Sequence, residues 1–194
     1  VDKLEPAYKY RLSINWNDKE YKSEYLSPLD TPAIDSISVE SPASEKPVYI
    51  CVTTHDNELE PTYYKWSYRE IWEFNADVFA TAGYLNDKFY MFERHTSQNT
   101  YYCWGRDSSK VMLLATTDKL TENLIYEKEL IEIPRDHDKL KILYYIEVQQ
   151  NRIRKEAYEY FKNIQRNIEQ TGSIFSPIPT EVRGNIVCVS DPKE

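Results

Sequence analysis

The chain has 194 residues and a net charge of −8, with 41% hydrophobic and 14% aromatic residues. That much apolar surface excludes global disorder. The acidic balance argues against a nucleic-acid partner, and no window approaches the roughly 18 apolar residues of a membrane helix.

Tyr8, Tyr10, Leu12, Ile14 and Trp16 alternate with Lys9, Arg11, Ser13 and Asn15, the pattern of a half-buried strand with one apolar face. The stretch WNDKE is a hairpin-turn candidate, and a second strand from Glu20 to Leu26 follows. One hairpin is not stable alone, so it must lean on the rest of the chain or on a part that precedes it. The start lacks the pattern of an export signal. Because a strand begins almost at once, the chain reads as trimmed. SPLDTPAID, with Pro28 and Pro32, reads as a linker. Ile34, Ile37 and Val39 suggest a short strand, and SPASEKP a second loop.

From Val48 the pattern is β throughout. Strands are predicted at Val48–Thr54, Tyr63–Phe74, Lys88–Glu93, Thr100–Trp104, Lys110–Thr116, Leu124–Ile133 and Lys139–Gln150. In the last, Leu140, Ile142, Tyr144, Ile146 and Val148 share one face. VMLLA is apolar on both faces, which predicts a central strand. The spacing of strands and turns points to a mainly β fold, an Ig-like or fibronectin-like antiparallel sandwich. One amphipathic helix is inserted near the C-terminus, at about 154–171, with Ala157, Phe161, Ile164 and Ile168 as its apolar stripe. A strand over Val182–Val189 closes the chain.

The usual catalytic signatures are missing: there is no GxSxG, HExxH, Walker loop, GxGxxG or EF-hand loop. This favours a non-enzymatic protein with no catalytic residues, cofactor or metal. A hydrolase would need two acids facing across a cleft. Asp136, His137 and Asp138 read as a polar loop rather than a metal cluster, because neighbours on extended chain point to opposite sides. His55 and His95 sit in other polar loops. TYYKWSYREIWEF is either a sugar-stacking platform or a strand whose aromatics pack a core, and the core reading is preferred. Tyr64, Trp66 and Tyr68 share a face, and REIW breaks the alternation. A glycan- or peptide-binding module would require at least two of Trp66, Trp72, Trp104 and Tyr84 exposed on one surface. Cys51, Cys103 and Cys188 have no CxxC spacing, so a zinc site is not expected. A structural disulfide or buried thiols is the expected role, with Cys103–Cys188 as the candidate pair.

In IEQTGSIFSPIPTEVRGNI, Gly172 stands where a helix C′ glycine belongs. Phe175 reads as a buried packing anchor, and Pro177 and Pro179 after it hold the chain extended and block strand pairing. Gly184 would permit a bulge or close approach as the last strand begins.

Several stretches occurring in this order resemble one lipoprotein family. They are YRLSINWNDKEYKSEYLSPLDTPAIDSI, YYKWSYREIWEF, CWGRDSSKVMLLATT and KEAYEYFKNIQRNIEQTGSIFSPIPTEVRGNIVCVSDPKE. The family is the domain of unknown function numbered 4249, of the Bacteroidota. The resemblance implies an outer-membrane lipoprotein, exported by a signal peptide and anchored through a lipidated cysteine that this chain does not include. It implies β-sandwich units in tandem and a role beside TonB-dependent, SusC-like nutrient receptors. On that basis residues 1–33 would be the final hairpin of a preceding sandwich plus linker, and residues 34–194 a second sandwich with the helix. The expected partner is a TonB-dependent receptor, with a glycan or peptide ligand as the alternative.

Overall fold

The structure, a computed structural model, describes residues 4–43, 45–78, 82–91, 101–170 and 184–190. Strands β1 (Ser13–Trp16) and β2 (Lys19–Ser23) form the predicted hairpin. Its turn residues, Asn17 and Asp18, have φ of 47° and 59°. Two positive φ values make the type I′ turn whose twist matches the strands, and Asn and Asp tolerate it. A bridge between Tyr10 and Leu26 extends the ladder.

The chain continues through β3 (Ser36–Glu40), β4 (Val48–His55), β5 (Tyr63–Asn75), β6 (Ala82–Leu85), β7 (Lys88–Met91), β8 (Tyr102–Ser108), β9 (Leu113–Thr116), β10 (Leu124–Ile133) and β11 (Leu143–Ile153). A 3₁₀ turn at Asp138–Leu140 precedes β11, helix α1 (Lys155–Gln170) follows it, and β12 (Ile186–Cys188) comes last. The fold is mainly β, with antiparallel sheets and one helix, as predicted. One sheet has the order β10–β4–β3; the other has β11–β5–β8, with β9 beside β5 further along. β6 and β7, unpredicted in part, form a separate hairpin on a second Asn-Asp turn, Asn86–Asp87.

The core lies between the two large sheets. Val52 from β4, Tyr64 and Trp66 from β5, and Ile125 and Leu130 from β10 make its centre, with Leu113, Ala115 and Val148 packed against it. Trp66 is 1% exposed and Val52 0%, so each contributes the stabilisation of a fully buried side chain, about 1.5–3 kcal/mol for an aliphatic one. β9 is not the central strand that VMLLA suggested: among the described residues it pairs with β5 alone. Its two apolar faces have separate causes. Leu113 and Ala115 face the core, whereas Leu114 is in register with Lys65 on the opposite face. On that face helix α1 covers the start of β5. The Tyr158 ring packs at a tilt against Tyr63, centroids 5.2 Å apart, and the ring of Phe161 lies 4.2 Å from the Lys65 amine. Tyr158, absent from the predicted stripe, is buried, whereas Ile168 is exposed.

The linker is tied down rather than free. Ala33 O accepts from Thr54 Oγ1 (3.1 Å), Pro32 O from Gln150 Nε2 (2.9 Å) and Ser27 O from Arg154 (2.7 Å), while Arg152 N donates to Thr31 Oγ1 (3.1 Å). Gln150 also accepts from the buried Trp66 indole at 2.7 Å. Gln150→Leu therefore orphans the buried Trp66 indole N–H and should cost about 1–3 kcal/mol, read as a lower urea midpoint with an unchanged m-value.

The last strand departs from expectation. β12 pairs with β2, so the chain's end joins the N-terminal hairpin in a β1–β2–β12 sheet. Leu12, Ile14 and Trp16 were predicted half-buried but are 52%, 40% and 65% exposed. The sheet has gained a third strand but no second layer among the described residues.

Candidate functional site

β5 runs through both large features of the molecule, because its alternate residues face opposite ways. Its inward residues are Tyr64, Trp66, Tyr68, Glu70 and Trp72. The alternation does not break at REIW; it continues, with a carboxylate in an inward place. Glu70 is 2% exposed. Its Oε1 meets Lys139 Nζ at 2.5 Å and its Oε2 accepts from Tyr144 OH at 2.8 Å. Burial first, then the bond to Glu70, pushes the Tyr144 hydroxyl far above the usual tyrosine range. Burial likewise raises Tyr68, aided by the charge of Glu70. The Lys139 amine also lies 5.0 Å from the ring centre of Trp72, whose edge meets His137 at 6.3 Å. Every charge here is met within the protein, which is the arrangement of a structural ion pair.

The predicted ligand aromatics therefore separate. Trp66 is buried in the core, which removes it. Trp72 is half-buried on the inward face beneath Lys139. Trp104 and Tyr84 are 61% and 71% exposed, but Tyr84 belongs to the β6–β7 hairpin and Trp104 to a different sheet.

Trp104 has other company. In the β11–β5–β8 sheet, Leu143, Glu73 and Trp104 stand in one register row, Tyr145, Ile71 and Arg106 in the next, and Glu147, Arg69 and Ser108 in the third. Paired residues share a face, and this one points away from the core. Ile71, Leu143, Tyr145, Trp104 and the neighbouring Tyr102 are all exposed. Arg69 and Arg106 balance Glu73 and Glu147, so the surface is locally neutral on a chain of net charge −8. Tyr102, Tyr145, Ile71 and Leu143 were not singled out in the sequence. Only strand pairing brings them beside Trp104.

A cleft of about 340 Å³ opens between the linker and the loop after β4, lined by residues 30–33, 35, 55–58 and Arg152. Five of its ionisable groups pair among themselves. His55 Nδ1 meets Asp35 at 2.7 Å, and Arg152 meets Glu58 at 2.5 Å and Asp56 at 3.5 Å. The bond to Arg152 holds the Glu58 carboxyl below its usual value and the Arg152 guanidinium above its own. The His55–Asp35 pair latches the linker to β4, and the Arg152 pairs tie the loop after β4 to β11.

The loop Asp136–Asp138 is a turn, as read. His137 caps the 3₁₀ turn by accepting from Lys139 N at 3.1 Å, and Asp138 pairs with Lys141 at 2.7 Å. Among the described residues no cluster of His, Cys, Asp and Glu could hold a metal ion. Gly172, Phe175 and His95 lie outside the described residues. Gly184 makes no close approach: a β-carbon there would meet none of the described residues.

The expected Cys103–Cys188 disulfide is not formed; all three cysteines are thiols. Cys188 sits in the β1–β2–β12 sheet near Ser190 Oγ (3.6 Å), while Cys103 lies in the sandwich on β8. Cys51 is 2% exposed, and burial followed by Glu129, Glu40 and Glu127 pushes its thiol up. Unfolded without reductant, the protein should titrate all three thiols with Ellman's reagent, and in the native state Cys51 should react slowest. A single reactive thiol after unfolding would contradict the structure.

The profile of the family described as "Domain of unknown function (DUF4249)" matches residues 2–194. Searches of curated proteins and of solved structures gave no match.

Proposed function

Since the chain belongs to the DUF4249 family of domains of unknown function, we propose that it works by binding rather than by catalysis. It is a β-sandwich module of an outer-membrane, lipid-anchored protein that docks a TonB-dependent nutrient receptor through the outward face of β11–β5–β8. The membrane location and the receptor rest on the family resemblance. The observation that carries the binding mode is the exposed cluster of Trp104, Tyr145, Ile71 and Leu143 with its balanced charged rim. An apolar centre with aromatic anchors and a polar rim is the anatomy of a protein interface. Its neutrality leaves the approach of a partner unopposed by the chain's overall charge.

The expected result is that the protein, anchored in detergent-solubilised membranes of its own cells, co-purifies with a TonB-dependent receptor. Ile71→Lys, at the centre of the patch, should reduce recovery at least about tenfold, the loss expected of a hot-spot residue. Undiminished recovery with Ile71→Lys would reject this face, and no receptor with the native protein would reject the partner.

A second reading, glycan stacking, is favoured by Trp104 and Tyr102, two exposed rings on the same face of one strand. It predicts that Trp104→Ala abolishes binding to immobilised glycans while Ile71→Lys spares it.

A further inference from the structure

A separate surface lies on the other sheet. β3 is the last strand of β10–β4–β3, and among the described residues nothing pairs with its outer edge. Ile37 is in register with Val52, and Val39 with Ile50. Val52 and Ile50 face the core at 0% and 3% exposure. Ile37 and Val39 share that face yet are 44% and 63% exposed. The core-facing surface thus continues onto β3, where it is uncovered.

Natural edge strands are blunted by lysine, proline, bulges or inward-pointing charges. β3, of sequence SISVE, has none of these along its length, and its Ile and Val favour strand pairing. An unpaired row of backbone donors and acceptors is matched by another extended backbone. The open space beside Ile37 and Val39 is matched by alternate apolar side chains of the incoming strand.

Charge selects among strands. Glu40 ends β3, and Glu129 and Glu127 lie close enough to the adjoining Cys51 for their charges to act on it, offset in part by Lys128. Asp35, at the other end, is paired with His55. Arg135, beyond Glu40, is engaged by the Ser41 hydroxyl and the carbonyls of Ala43 and Lys46. A second copy of the chain would bring the same acidic surroundings and a net charge of −8 to meet its like.

We propose that the free edge of β3 is a strand-acceptor site. It takes an extended segment of another protein in which apolar residues alternate and a basic residue stands at the end that meets Glu40, added beside Ser36–Glu40 as a further strand. This surface is distinct from the outward face of β11–β5–β8, so either assignment can fail without the other.

The test uses a fluorescent peptide of alternating valine and threonine with lysines at both ends, and a counterpart ended by glutamates. The lysine-ended peptide should give saturable anisotropy, and its binding should slow amide hydrogen exchange across residues 36–40. The glutamate-ended peptide should bind more weakly. Val39→Lys, at an exposed position, should weaken binding at least about tenfold with an unchanged far-ultraviolet spectrum. The exchange measurement on the native chain stands independently of that variant. Absence of saturable binding, equal binding of the two peptides, or protection elsewhere than β3 would each overturn the proposal. So would sedimentation showing a dimer of the chain that Val39→Lys dissolves, because the edge would then be filled by a second copy.

Discussion

Lys139→Met should be among the most destabilising single substitutions in this chain, costing about 3–5 kcal/mol. The reason is what it leaves behind. The Glu70 side chain is 1% exposed and the Lys139 side chain 13%, so removal of the amine strands a carboxylate with Tyr144 OH as its remaining side-chain donor. For a chain of this size the midpoint should fall by on the order of 10 °C. Glu70→Leu combined with Lys139→Met should recover most of the loss, because replacing a buried pair by apolar groups is often neutral or stabilising. A double variant as unstable as Lys139→Met would show that the pair does more than neutralise itself. Tyr144→Phe removes one hydrogen bond to a charged acceptor, worth about 1.5–3 kcal/mol.

The same site sets a pH dependence. The folded Tyr144 hydroxyl titrates above its unfolded value, so its contribution is intact below the ordinary tyrosine pKa of about 10. As pH rises beyond that value the unfolded chain loses its proton first, and stability falls. Native protein should therefore lose stability more steeply than Tyr144→Phe above pH of about 10. Equal slopes would place the effect on the other raised tyrosines, Tyr64 and Tyr68 among them.

This ion pair also shows why the fold was more legible than the site. Strand alternation is local, and it located β10 at Leu124–Ile133 and the core positions Tyr64, Trp66 and Val148. The turn Asn17–Asp18 was legible for the same reason. Glu70 interrupted a local apolar pattern, and its partners lie 69 and 74 residues away, beyond any local signal. The start of β11 was misplaced because Leu140 and Ile142 continue its apolar period, although Asp138–Leu140 turns as 3₁₀ and Ile142 is 48% exposed. The exposed face was hidden too. Trp104, Ile71 and Tyr145 are ordinary outward strand residues until register aligns them. β12 could not be assigned to the hairpin's sheet, since three residues of strand carry no mark of their partner. Cys103 and Cys188 shared only a strand-like setting, and that says nothing of distance.

Gly105→Ala should be destabilising by about 1–3 kcal/mol, although glycine in a strand interior is ordinarily the weaker residue. Gly105 stands opposite Trp72 in the β5–β8 register. A β-carbon there would lie 2.1 Å from Trp72 Cε2 and 2.5 Å from Nε1, inside the ring's van der Waals surface. The indole cannot simply turn aside, because Lys139 and His137 hold its face and edge. Either β8 moves away from β5, or Trp72 leaves and uncovers the Glu70–Lys139 pair. Trp72→Ala in the same chain should relieve the clash, so the double variant should cost less than the two single changes together, by about 0.5–3 kcal/mol. Additive costs, or stabilisation by Gly105→Ala alone, would mean that the ring does not lie across the glycine. Gly105 also lies between Trp104 and Arg106, whose side chains form part of the outward face. If β8 is the element that yields, and the outward face docks a receptor as proposed, Gly105→Ala should reduce receptor recovery while every side chain of that face is still present. If Trp72 yields instead, recovery should hold and the tryptophan fluorescence should shift to the red, so the two readouts together identify which side of the contact gives way.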